Sequence, residues 1–66
     1  MNCDLLREVL KEKGVRVEDL ADMIGVNRAT MYRKMKKLER TTIGEAVKIK
    51  AALNLSDALA YQIFLA

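Results

Sequence analysis

Apolar residues in this 66-residue chain recur at i, i+3, i+4 and i+7, and few β-branched residues alternate with polar ones. The pattern predicts helices and no sheet. Leu5, Leu6, Val9 and Leu10 make the first stripe, on a helix from about Cys3 to Lys13, capped by Asn2 and stopped by Gly14. Leu20, Ala21 and Ile24 make the second, over about Val17 to Ile24, where Glu18 and Asp19 suit the positive helix start. Gly25 ends that helix, and Asn27 fits the N-cap of a third, Arg28 to about Lys37, with Met31 and Met35 inward. Thr42-Ile43-Gly44-Glu45 reads as a capping box opening a fourth helix, Ile43 to about Leu53. Ser56 caps a fifth, Asp57 to about Leu65, with Leu59 and Ile63 toward the core. Asn54-Leu55-Ser56 matches a glycosylation acceptor but reads here as the turn between helices four and five. The expected architecture is all-α, a compact five-helix domain covering residues 1–66, because so short a chain has no room for a second core.

Composition narrows the setting. A domain of this size buries only about 60% of its unfolded surface, and the single cysteine, Cys3, offers no disulfide to help. One free cysteine and no evident signal peptide predict a reducing, cytoplasmic location. No apolar run approaches the roughly 20 residues that span a bilayer. Cys3 itself reads as a small core residue beside the first helix's apolar face.

Charge adds a location. Residues 1–27 carry four Lys/Arg against six Asp/Glu, residues 41–66 carry two against two, and residues 28–40 carry six against one. The whole net charge of +3 therefore originates in one thirteen-residue window, "RATMYRKMKKLER". Charge alone is compatible with an ordinary solvated helix face; its concentration on one helix is also what an electrostatic footprint for an anionic partner looks like.

Most chemistry is excluded. Without histidine there is no His-based triad and no His metal ligand, and one cysteine cannot build a zinc site. Three scattered glycines make no phosphate loop. Asp19 and Asp22 stand one turn apart, but two acids on a small helix are ordinarily solvated. No enzyme, no metal, no cofactor and no small-molecule ligand is expected.

The informative feature is the order of residues in "VEDLADMIGVNRATMYRKM". Ala21, four before Gly25, lets a second helix approach closely, and Gly25 can take the positive φ of a tight turn. Ile24, Val26 and Met31 are placed to fill the angle between the two helices. This segment, about residues 17–37, resembles the helix-turn-helix of the lambda-repressor-like (Xre/Cro) family of transcriptional regulators. The resemblance extends from about Leu5 to Leu59, and five helices in this length also match the family's domain.

The resemblance implies a sequence-specific binder of double-stranded DNA whose third helix enters the major groove. Its base-reading positions fall near Arg28, Ala29 and Arg33; either arginine suits a guanine edge, and Ala29 a thymine methyl. Tyr32 and Lys36 share the outward face; Tyr32 is placed to reach a phosphate or stack beside a base, and reads equally as an amphipathic ring covering the core edge. Asn27 and Thr30 are placed to touch phosphates while shaping the helix start. Lys37, Arg40 and Thr41 lie where similar proteins grip the backbone. A Cro-like, phage-style repressor acting on an inverted-repeat operator as a homodimer is the corresponding expectation.

The chain departs from the family pattern in three places. Arg16 and Val17 replace the usual Ser/Thr cap and Gln of the second helix, with loss of a phosphate contact. Lys34 stands where Leu or Trp is usual, so its stem is expected to snorkel outward while Met35 and Leu38 close the core. "KKLERTT" lacks the usual glycine and proline, which predicts a slightly long third helix. The fifth helix, "SDALAYQIFLA", holds more apolar residues than one inward stripe needs. Tyr61, Phe64 and Leu65 are left as a partner surface, for a second copy or packed back over the first helix. The alternative function is an all-helical protein-interaction module, antitoxin or adaptor, working through that apolar helix. Lipid binding is disfavoured because the third helix needs its apolar stripe for the core, and single-stranded RNA because no aromatic platform is present.

Overall fold

A computed structural model describes residues 2–37 and 41–65 and contains α1 (Cys3–Lys13), α2 (Val17–Ile24), α3 (Arg28–Lys37), α4 (Ile43–Leu53) and α5 (Asp57–Phe64). The helix boundaries follow the apolar pattern, except that α5 stops one residue earlier, with Leu65 as its cap. The expected extension of α3 and the core role of Leu38 fall outside the described residues.

Side-chain caps start the helices. The Asn2 side-chain oxygen accepts from the Leu5 N–H at 3.1 Å and Ser56 Oγ from the Leu59 N–H at 3.1 Å. Thr42 and Glu45 form the full reciprocal box: Thr42 Oγ1 accepts the Glu45 N–H at 3.1 Å, and the Glu45 carboxylate accepts the Thr42 N–H at 3.3 Å. Helix α2 starts differently, because a guanidinium cannot accept a hydrogen bond. Asp19 supplies the available half of the box, taking the Arg16 N–H at 3.2 Å.

Three helices stop in one way. Gly14, Gly25 and Asn54 adopt left-handed φ values of 67°, 74° and 53°. The next N–H then reaches back five residues, Val15 to Leu10, Val26 to Ala21 and Leu55 to Lys50, at 2.9, 2.9 and 3.0 Å. Each reversal returns an apolar residue to the core: Leu55 is buried, and Val15 and Val26 pack against it half-buried.

Every helix contributes one large, fully buried side chain to the centre: Leu6, Leu20, Met31, Ile49 and Ile63. Val9, Leu10, Ala21, Ile24, Met35, Leu53 and Ala60 surround them, with Leu5, Leu59 and Phe64 at the margin. Burial of each large side chain is worth ~1.5–3 kcal/mol, and no described polar or charged residue is buried. The Asn2 N–H donates to the Ile63 carbonyl at 2.6 Å and fastens the start of α1 to the end of α5.

Candidate nucleic-acid interface

Between Ile24 and Arg28 the chain reverses in three residues, Gly25, Val26 and Asn27. Asn27 opens α3 as an N-cap, its side-chain oxygen accepting from Ala29 N–H at 2.8 Å and Thr30 N–H at 3.3 Å. Ala21 is fully buried, and buried Ile24 and Met31 fill the angle between helices with half-buried Val26. A glycine turn joining two close-packed helices in this way is a helix-turn-helix.

Helix α3 divides cleanly. Met31 and Met35 are buried, while Arg28, Ala29, Tyr32, Arg33 and Lys36 are exposed along one side. Thr30 is half-buried, and its hydroxyl accepts from Arg33 Nη2 at 3.3 Å. Thr41 is half-buried just ahead of the α4 cap. Arg40 and the side chain of Lys37 lie outside the described residues.

The acids of α2 face this row, which corrects their reading as merely solvated. Asp22 holds the Arg28 guanidinium side-on, through Nε at 3.1 Å and Nη2 at 2.5 Å. The Tyr32 hydroxyl donates to Glu18 at 2.6 Å. Arg16 bridges Glu18 at 3.4 Å and Asp19 at 3.2 Å. The arginine hydrogen bonds hold the Asp22 and Asp19 carboxyls below their usual range, and donation to Glu18 raises the Tyr32 phenol. Arg33 and Lys36, by contrast, pair with no described carboxylate. The missed signal was a spacing of six, Asp22 to Arg28, which a three-residue turn folds into contact.

The far end of α3 is held as firmly. Two of its last carbonyls accept from α1: Lys34 from the Cys3 thiol at 3.6 Å and Met35 from Arg7 Nη2 at 3.1 Å. Cys3 is thus both a core residue and a weak donor, and Arg7 puts a cation at the negative helix end. Lys34 does not reach into solvent as expected. Its ammonium lies 2.7 Å from both oxygens of Glu45 on α4. The residue that closes the α4 cap also anchors α3, a second role its capping spacing concealed. Helix α3 is therefore tied to α2, α1 and α4 while its outer row stays open.

On α5 and its cap, Tyr61 and Leu65 are exposed, whereas Phe64 is half-buried against the core. The apolar surface is wider than α5. Ile43 and Val47 of α4, 85% and 60% exposed, join it. Together with Ala46 they line an open groove of about 420 Å³. Neither Ile43 nor Val47 belongs to the surplus apolar set that the pattern assigns to the fifth helix alone.

The chain matches the family model of the Cro/C1-type HTH DNA-binding domain over residues 5–60. It belongs to that family, and the exposed row of α3 is the outer face of its second helix-turn-helix helix. The chain is also 36% identical over 59 residues to a protein of Methanothermobacter thermautotrophicus provisionally named an HTH-type transcriptional regulatory protein. The match covers 89% of this chain but 19% of that relative, so the chain spans about a fifth of the relative's length. No solved structure gives a match. The family is a DNA-binding one, not a family of enzymes. Among the described residues no group of acids and cysteine is arranged to hold a metal, and no helix is long and apolar enough to cross a membrane.

Proposed function

We propose that this chain is a single DNA-binding domain of a Cro-like transcriptional repressor, which places α3 in the major groove of an operator. The observation that carries the reading is the division of α3. Two methionines bind it to the core, and Arg28, Ala29, Arg33 and Lys36 stand exposed together on the other side. A groove that admits one α-helix also displays a distinct donor and acceptor pattern for each base pair. Arg28 and Arg33 are the proposed guanine readers and Ala29 a thymine-methyl contact. Asn27, Thr30, Tyr32, Lys36, Lys37, Arg40 and Thr41 are assigned to the backbone.

Two copies would meet through the α4–α5 face, where Ile43, Val47, Tyr61 and Leu65 stand exposed together, an apolar cluster of the kind that marks partner surfaces. The matching operator is an inverted repeat with half-sites about 34 Å apart. The same face supports the second reading, a protein-interaction module whose partner is another chain.

Selection of bound duplexes from a random library at roughly 150 mM salt tests both readings. Enrichment of an inverted repeat is expected. Binding without enrichment, vanishing as salt rises, would leave a non-specific basic patch and move the function to the α4–α5 face. Charge reversal of Arg33 and Lys36 separates the two, because it abolishes duplex binding and spares an interaction made by that face.

A further inference from the structure

We propose that Asp22 is a positioning residue for sequence readout: by gripping Arg28 side-on, it aims the remaining guanidinium donors at a guanine edge in the major groove. The inference rests on the reading of α3 as the helix that enters the groove.

The pair is not explained by its own helices. Asp22 lies in the last turn of α2, where backbone carbonyls already concentrate negative charge, and Arg28 opens α3, where N–H groups concentrate positive charge. Each ion sits at the unfavourable end of its helix. Stability does not account for the pair either, since both side chains are more than half exposed and exposed pairs add little. A carboxylate on a surface meant for phosphates also weakens non-specific attraction.

Geometry supplies what the pair does accomplish. An unrestrained arginine samples many rotamers, and fixing one on binding opposes association. Here Asp22 takes one N–H from Nε and one from Nη2. Three of the five guanidinium donors remain, including the parallel pair at the Nη end, which suits guanine O6 and N7. The three-residue turn sets the distance between the two residues. Arg33, whose described contact is one hydroxyl, has no comparable brace.

The test compares the unmodified chain with Asp22→Ala and Arg28→Ala in the random-duplex selection, followed by affinity measurements on the enriched site, its single-base variants and random duplex. Thermal melting verifies folding, and Asp22→Asn, which keeps the shape, substitutes if Asp22→Ala does not fold. Both Asp22→Ala and Arg28→Ala should lose guanine preference at the same base pair of each half-site, by about tenfold. Asp22→Ala should meanwhile bind random duplex more tightly, because one negative charge has gone. Four results overturn the proposal: preference retained at that pair; preference sharpened there, which would make Asp22 a mask; a change at a different pair from Arg28→Ala; or equal loss on all duplexes. If the unmodified chain enriches no sequence, the DNA-reading assignment itself has failed, and this proposal falls with it.

Discussion

The Lys34 ammonium lies 2.7 Å from each carboxylate oxygen of Glu45, with the two side chains only 14% and 21% exposed. The contact joins α3 to the first turn of α4, where Glu45 also closes the cap on Thr42. Hydrogen bonding from Lys34 pulls the Glu45 carboxyl below its ordinary 4.5; partial burial opposes this, and the Thr42 N–H and hydroxyl assist it. The folded state then binds this proton less tightly than the unfolded chain does. Glu45 therefore stabilises the fold in full above about pH 4.5, and the contribution is lost as pH falls through the lower folded value. Asp19, Asp22 and Asp57 shift the same way but are exposed to screening. Urea denaturation from neutral to acid pH should show the stability of Glu45→Gln falling less steeply than that of the unmodified chain. Parallel curves would remove Glu45 from the acid response.

The two partners of that pair are unequal. Glu45→Ala removes the half of the box that takes the Thr42 N–H, while Thr42 Oγ1 still caps the helix, and leaves a poorly solvated ammonium; together these should destabilise by about 2 kcal/mol. Lys34→Met replaces the cation with an apolar chain of similar length, while Glu45 keeps its Thr42 contacts. With those donors still satisfying the carboxylate, its cost should be smaller than that of Glu45→Ala. Equal losses in chemical denaturation at neutral pH would mean that the ion pair, not the cap and the stranded charge, governs the site.

Three glycines give a stability prediction with two signs. A Cβ at Gly14 or Gly25 would meet nothing within 4 Å, but both backbones are left-handed, at φ 67° and 74°. Alanine at either should destabilise by about 1–2 kcal/mol through backbone strain alone. Gly44 sits in α4 and its Cβ would find only Thr42 Oγ1, at 4.0 Å. Gly44→Ala should raise stability by roughly 0.5–1 kcal/mol. Thermal melts of the three variants decide it, and a stabilised Gly25→Ala would contradict the turn geometry.

How legible the molecule was in its sequence depended on range. Asn2, Thr42 and Ser56 act within one turn of their own helix, and Gly14 and Gly25 stop helices by a local φ, so local pattern reached them. Side-chain ties between helices did not show. Asp22 and Arg28 belong to different helices, and Lys34 and Glu45 are eleven residues apart; only folding gives these pairs a distance. Val47 was missed for a related reason. An apolar residue on an amphipathic helix reads as core until the packing shows Ile49 inside and Val47 out.

Arg33 and Lys36, both paired with no described carboxylate, should act differently if α3 lies against DNA. Each phosphate neutralised contributes a slope of about −0.9 to log affinity against log salt, so a protomer covering ~5 phosphates loses a few hundred-fold between roughly 50 and 200 mM. Lys36→Ala should lower the slope by about one and weaken all duplexes alike. Arg33→Ala should instead relax preference at a base pair, by ~1–3 kcal/mol. Fluorescence anisotropy over a salt series on selected and random duplexes separates the two behaviours. Identical effects on both duplexes would return Arg33 to the backbone contacts.

The α4–α5 face makes the last prediction. Leu65, 73% exposed, and Tyr61 belong to α5 and its cap, while Ile43 and Val47 belong to α4. If a second copy covers this groove, contact must extend over both helices, and a charge on α4 should disrupt it as effectively as one on α5. Val47 is 60% exposed and outside the core, so Val47→Glu should leave the protomer folded, with its helical circular dichroism unchanged, and melting should lose only what association contributes. In light scattering at micromolar concentration the unmodified chain should run at twice its 7.5 kDa mass and Val47→Glu at the single mass. On DNA the variant should occupy one half-site with affinity close to that for a full operator, because the advantage of linking two readers has gone. A monomeric unmodified chain would sink the dimer; a Val47→Glu that still dimerises would confine the contact to α5.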